Sequence, residues 1–105
     1  MPLPPLHAPT CFVVAVGDAA LMRARELIDE LRDAGISTAR SFEDRPMKAQ
    51  FKMADRAGAA FVAVLGDKEL AEGVVTLKRL VDGIQKAVPA SDVASWLTRL
   101  EGWAE

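Results

Sequence analysis

The sequence predicts a three-layer α/β domain on a mixed five-stranded sheet. Three observations predict it: two short, wholly apolar runs closed by glycine, an amphipathic helix pattern between them, and an Asp-Gly pair between two alternating segments. Cys11 to Val16 ends at Gly17, and Ala59 to Leu65 ends at Gly66. Runs that are apolar on both faces fit central strands covered by helices. A buried helix competes for runs this short, but Phe12, Val13, Val14, Phe61, Val62 and Val64 prefer strand.

Between the runs, Ala20, Leu21, Ala24, Leu27, Ile28 and Leu31 recur every three or four residues, with Arg23, Glu26, Asp29, Glu30 and Asp33 largely off that stripe. Asp18 is the expected N-cap, and Gly35 is expected to end the helix in a left-handed conformation. Ile36 to Phe42 reads as a weaker strand at an edge. A second helix follows with Pro46 in its first turn, where a missing N–H costs nothing. Its expected inner face is Met47, Phe51, Ala54 and Ala57, and Gly58 ends it. The result is β-α-β-α-β over residues 11–66, with three strands made parallel by right-handed crossovers.

After Gly66 the pattern changes. Asp67 to Glu72 reads as a short polar turn or a single helical turn. Val74 to Leu80 and Ile84 to Val88 alternate around Val81-Asp82-Gly83, which predicts a hairpin with a tight two-residue turn and positive φ near Gly83. Pro89 ends the hairpin. Asp92 to Leu100 is the last helix, with Ser91 as N-cap and Val93, Trp96, Leu97 and Leu100 inward. Residues 1–10, with Pro2, Pro4, Pro5 and Pro9, read as a linker or tether, residues 11–100 as the domain, and residues 101–105 as a tail.

At 105 residues the chain fits one compact domain, and with 50% hydrophobic and 27% charged residues it falls in the ordinary globular class. No apolar run approaches the about 20 residues that span a bilayer, and the N-terminus lacks the features of a secretory signal. The lone Cys11 rules out an internal disulfide and suits a reducing cytoplasm, the expected location. A net charge of −2 argues against indiscriminate coating of nucleic acid, so any RNA contact must come from a local basic patch.

Catalytic chemistry finds little to build on. The single histidine, His7, lies in the tether, Cys11 opens a buried strand, and no converging ligand set or Ser-His-Asp set can be assembled. The turn Gly17-Asp18-Ala19-Ala20-Leu21 stands where nucleotide-binding folds cradle phosphate, but it has one glycine and an aspartate that repels phosphate. The informative polar cluster is Lys48, Lys52 and Arg56, at i, i+4 and i+8 on one helix face, preceded by Arg45. A solvated face explains that spacing as an RNA contact does. Lys78 shares a strand face with Thr76, opposite Val75 and Leu77, and Arg79 adds charge there only if the fold turns it the same way. Glu69 is a surface carboxylate or an acceptor for a base amino or imino group. Trp96 falls on an apolar helix face and reads as core, whereas Trp103 lies near the terminus.

Three stretches resemble histidyl-tRNA synthetases. They are Phe12-Val13-Val14-Ala15-Val16-Gly17 with the helix after it; Met47-Lys48-Ala49-Gln50-Phe51-Lys52-Met53-Ala54-Asp55-Arg56-Ala57-Gly58-Ala59; and Val64-Leu65-Gly66-Asp67-Lys68-Glu69-Leu70-Ala71-Glu72-Gly73 leading to Val75-Thr76-Leu77-Lys78. The second is the most specific to the histidine member of the class II synthetases. The Gly-Asp-x-Glu turn of the third is shared with the threonyl, prolyl and glycyl enzymes. The resemblance spans about residues 11–100, to the C-terminal anticodon-binding domain of that family.

The resemblance implies sheet order 2-1-3-4-5 with strand 4 antiparallel, three main helices, and a module that binds the anticodon loop of histidine tRNA to support histidylation. In related synthetases the anticodon is read by the segment entering the second helix, the turn after strand 3, and strand 4. By that correspondence the RNA-binding residues are Arg45, Lys48 and Gln50, then Glu69, then Lys78. The family often has a small polar residue such as serine where Pro46 stands, so a helix cap and an RNA hydrogen bond are lost here. No catalytic residue, metal or cofactor is expected in this chain. ATP and histidine belong to the catalytic domain of a parent synthetase, usually a homodimer, for which 105 residues leave no room. The chain is then a fragment of a longer synthetase or a free-standing paralogue. A synthetase-like domain serving as a protein-interaction or regulatory module is the alternative. A small nucleotide-binding domain is disfavoured by the single glycine at Gly17.

Overall fold

The computed structural model describes residues 9–40 and 46–99. Its strands are β1 (Cys11–Ala15), β2 (Thr38–Arg40), β3 (Phe61–Leu65), β4 (Val74–Arg79) and β5 (Gln85–Pro89). Its helices are α1 (Asp18–Asp33), α2 (Met47–Arg56), α3 (Asp67–Glu72) and α4 (Val93–Arg99), with a 3-10 turn at Ala90–Asp92 before the last. The five strands lie in the order β2-β1-β3-β4-β5. β1 pairs in parallel with β2 and β3, while β4 is antiparallel to both β3 and β5. This is the predicted mixed sheet, with β2 at an edge.

The apolar strands split their side chains between two cores. Cys11, Val13, Ala15, Phe61, Ala63, Leu65, Val75, Leu77 and Val88 form one core with α1 and α4. Phe12, Val14, Val62 and Val64 form the other with Ala54, and Met47 and Phe51 of α2 and Ala57 just after it pack against it partly buried. β1 and β3 are therefore covered on both sides, which is why they carry no alternation. Ala20, Ala24, Leu27, Ile28 and Leu31 are the buried stripe of α1, as their spacing predicts. Leu27, Leu31, Leu65 and Leu77 are nearly fully buried, and each such side chain contributes roughly 1.5–3 kcal/mol by leaving water.

Helices α1 and α2 end alike. The Ile36 N–H reaches the Leu31 carbonyl at 2.9 Å and the Gly35 N–H reaches Arg32 at 3.0 Å; Ala59 to Ala54 and Gly58 to Asp55 repeat the pattern at 3.2 and 3.1 Å. Both glycines are left-handed, at φ 82° and 74°, which closes the last turn and sends the chain back into the sheet.

Several local expectations are corrected. Asp18 is the first helical residue of α1; Gly17, at φ 101°, is the cap and offers no side-chain hydrogen bond. β2 is limited to Thr38–Arg40 in the described chain, and the expected continuation to Phe42 lies outside it. The β4–β5 turn is longer than two residues. Arg79 pairs with Ile84 through an N–H to carbonyl bond of 2.8 Å, and the Gly83 N–H returns to the Arg79 carbonyl at 2.8 Å, so Leu80–Gly83 make a four-residue loop. Asp82 sets that length: its carboxylate accepts from the Ile84 N–H at 3.1 Å and from Arg79 Nε at 3.0 Å. Ser91 lies inside the 3-10 turn rather than at the cap of α4. Leu100, Trp103 and His7 lie outside the described residues.

Candidate nucleic-acid interface

Register decides which residues of β4 meet α2. Val75 and Leu77 are buried beneath α1 and α4, so alternation turns Thr76 and Lys78 to the α2 side. There Lys78 stands opposite Val62 on β3 and Gln85 on β5, and Thr76 opposite Val64 and Ala87. Directly opposed residues of an antiparallel pair share a face. Helix α2 rests on β1 and β3, so the β4–β5 part of this face stays open: Thr76 and Lys78 are half-buried, and Gln85 and Ala87 are exposed.

Phe51 forms the wall between helix and open sheet. Its ring lies half-buried with Lys78 Nζ 5.4 Å from the ring centroid, within range of a cation–π attraction. Lys48, one turn earlier on the same flank, is exposed, as are Lys52 and Arg56 along the outer face of α2. Pro46, Lys48, Ala49 and Lys52 line a shallow depression there. Arg45 lies outside the described residues.

Glu69 borders the face from α3. Its Oε1 accepts from the N–H of Gly66, the N-cap of α3, at 2.9 Å, and its Oε2 accepts from Thr76 Oγ1 at 3.1 Å. The first bond caps the helix; the second ties α3 to β4. A carboxylate oxygen has a second lone pair, so the half-buried group keeps acceptor capacity toward the open sheet.

Gln50 is placed differently from the expectation. It is 3% exposed. Its Oε1 accepts from the Ala15 N–H at 3.1 Å and its Nε2 donates to the Ala15 carbonyl at 2.9 Å. Met47, Gln50 and Ala54 fall at helix spacing on the covered face, which puts the amide under α2 rather than on the RNA side. The condition set for Arg79 is not met: it alternates to the other face of β4, and its guanidinium is held by Asp82. That contact pulls the Asp82 carboxyl below the ordinary carboxylate value, with the Ile84 N–H adding to the effect.

Cys11 and Trp96 serve the fold. Cys11 is fully buried, and burial pushes its thiol up to about 12. Trp96 packs partly buried against the core with Lys86 Nζ 5.6 Å from its ring centroid. At the β1–α1 turn, Asp67 Oδ1 lies 3.9 Å from where a Gly17 Cβ would stand, so a second carboxylate joins Asp18 where phosphate would have to sit. Among the described residues no His, Cys, Asp and Glu cluster is placed to hold a metal ion, and no helix is long and apolar enough to cross a membrane.

Sequence reasoning did not single out Phe51, Thr76 or Gln85 as lining residues. For Thr76 the signal was its alternation with Lys78. For Phe51 it was the i, i+3 step from Lys48. Gln85 could be placed only once the hairpin register was known.

Comparison with known proteins identifies the family. A family model described as the anticodon binding domain matches residues 10–100. Histidine–tRNA ligase 2 of Bacillus cereus is 45% identical over 95 residues, covering 90% of this chain and 22% of that protein. Histidine–tRNA ligase of a Geobacillus species is 46% identical over 87 residues, covering 83% and 21%. Among solved structures, apo histidyl-tRNA synthetase of S. aureus superposes with a TM-score of 0.84 at 29% identity, covering 94% of this chain and 25% of that one. The histidyl-tRNA synthetase of a Nostoc species gives 0.84 at 32%, covering 93% and 23%. The chain thus spans about a fifth of the length of the curated relatives it matches. With a matching sheet order and a family match over almost its whole length, the chain belongs to the anticodon-binding domain family.

Proposed function

We propose that this domain binds the anticodon loop of histidine tRNA and so supports histidylation by the catalytic domain of a longer synthetase. Such an enzyme acts in the cytoplasm as a homodimer, and its catalytic domain handles ATP and histidine. The observation that carries the reading is the convergence on one open sheet face of Lys78 from β4, Glu69 from α3 and the basic flank of α2. Each has a chemical use. Exposed lysines meet phosphates, and recognition of single-stranded loops needs donors and acceptors aimed at splayed bases. Lys78 offers only donors; Glu69 offers only acceptors when ionised. Together they can distinguish a base edge presenting carbonyls from one presenting amino groups. Lys48 takes the phosphate role, and Arg45, which lies outside the described residues, is counted as an RNA contact on the family resemblance alone. Gln50 is withdrawn from the contact set, because its amide is turned into the fold.

The test is a titration of the chain with the histidine anticodon stem-loop and with an unrelated stem-loop. Tighter binding of the first supports the reading. Equal binding of both, or none, removes it and leaves the protein-interaction module as the better account.

A further inference from the structure

Helix α2 begins without the usual supports. Its N-cap is Pro46, which offers no side-chain hydrogen bond, and its first turn has no acidic residue. A ten-residue helix without such supports is marginal by itself. Yet this first turn carries Lys48 and leads into Phe51, the wall under Lys78.

Gln50 supplies the missing attachment. Its own N–H closes the first turn on the Pro46 carbonyl at 3.1 Å. Its carboxamide pairs with both backbone groups of Ala15, at 3.1 and 2.9 Å, as another strand would. In β1, even-numbered residues bond toward β3, as the Val16 N–H to Leu65 and the Phe61 N–H to the Thr10 carbonyl show, so Ala15 points its groups to the other side. There the described β2 pairs only with Cys11 to Val13. Buried backbone groups left without partners cost stability; the Gln50–Ala15 pair satisfies both and fixes the first turn of α2 against the end of β1.

We infer that Gln50 is a positioning residue for RNA recognition: it holds the flank of α2 that carries Lys48 and sets Phe51 under Lys78 of β4, without touching RNA. The inference rests on the anticodon-binding reading. In Gln50→Met the side-chain length is kept and both hydrogen bonds to Ala15 are lost. The variant should remain folded, with faster hydrogen exchange at the Ala15 amide. It should bind the histidine anticodon stem-loop about tenfold more weakly, the scale of one lost polar contact. Its salt dependence should be shallower by about one unit, as Lys48 no longer meets phosphate. Val93→Ala, destabilising the opposite core, controls for lost stability and should bind as the wild type does. Gln50→Glu keeps the acceptor for the Ala15 N–H but loses the donor, and it is read against the same outcomes should Gln50→Met not fold. Wild-type affinity and salt slope in a folded Gln50 variant would overturn the inference, as would an equal loss in Val93→Ala. If the wild type itself binds no RNA, the anticodon-binding reading falls, and this inference with it.

Discussion

The hydroxyl of Thr76 donates to Glu69 Oε2 at 3.1 Å, joining the fourth strand to the helix that precedes it. Thr76 thereby does two things: it keeps the β propensity the strand needs, and it orients a carboxylate at the rim of the open face. Removing the hydroxyl alone separates these roles. Thr76→Val should lower stability by about 1 kcal/mol, below the full worth of a bond to a charged group because the site is half-exposed. It should also loosen Glu69. Urea unfolding with unchanged midpoint would show that the bond carries no weight.

Gly83 sits at φ 75°, and no atom lies within 4 Å of where a Cβ would stand, so a substitution there is resisted by backbone conformation and not by space. Gly83→Val should cost on the order of 1–3 kcal/mol. If the urea midpoint is unchanged, the loop relaxes into another turn.

The Asp82 carboxyl, held by Arg79 and the Ile84 N–H, should titrate below its ordinary 3.8 in the folded protein. A group with a depressed folded value contributes stability above its unfolded value and loses it as pH falls through the folded one. The contribution is therefore present at neutral pH and disappears in acid below 3.8. The carboxyl carbon shift of Asp82 followed by NMR checks this. A midpoint at or above 3.8 would mean the pair does not persist in solution.

Cys11 behaves oppositely. Burial raises its thiol from 9.0 to about 12, so the stability it contributes is complete below 9.0 and is lost as pH rises toward and through 12. At neutral pH the native thiol should resist a disulfide reagent and react only on unfolding, since the thiolate is the nucleophile. Rapid modification of the folded chain would show that β1 opens readily.

How far the sequence carried the reading depended on the kind of signal. β1, β3 and the stripe of α1 were legible because burial there is enforced by period: a run without alternation must be covered twice, and Leu27 and Leu31 can face only one way. The orientation of Lys78 was legible for the same reason. Gln50 was assigned to RNA by its correspondence with related synthetases, although its step from Met47 and to Ala54 puts it on the covered side of α2. Glu69 was read as a surface carboxylate or an acceptor for a base group, without the capping contact that a glutamate three residues after the N-cap Gly66 makes. The hairpin loop was read as too short because Asp-Gly alone does not reveal that Asp82 also binds Arg79 and the Ile84 N–H.

Lys78 tests the central claim most directly. It reaches the open face over Phe51 from a strand whose buried side is carried by Val75 and Leu77, so Lys78→Ala should leave the core intact. The measurement is a salt series of binding to the histidine anticodon stem-loop and to one with a changed anticodon, for wild type and Lys78→Ala. The expected result is a loss of about 1–3 kcal/mol for the cognate loop, by analogy with base contacts in DNA, and a smaller gap between the two RNAs. A uniform loss with a salt slope reduced by about one unit would reassign Lys78 to a phosphate. If Lys78→Ala binds both RNAs as the wild type does at every salt concentration, the face between α2 and β4 does not contact the anticodon, and the central claim is contradicted.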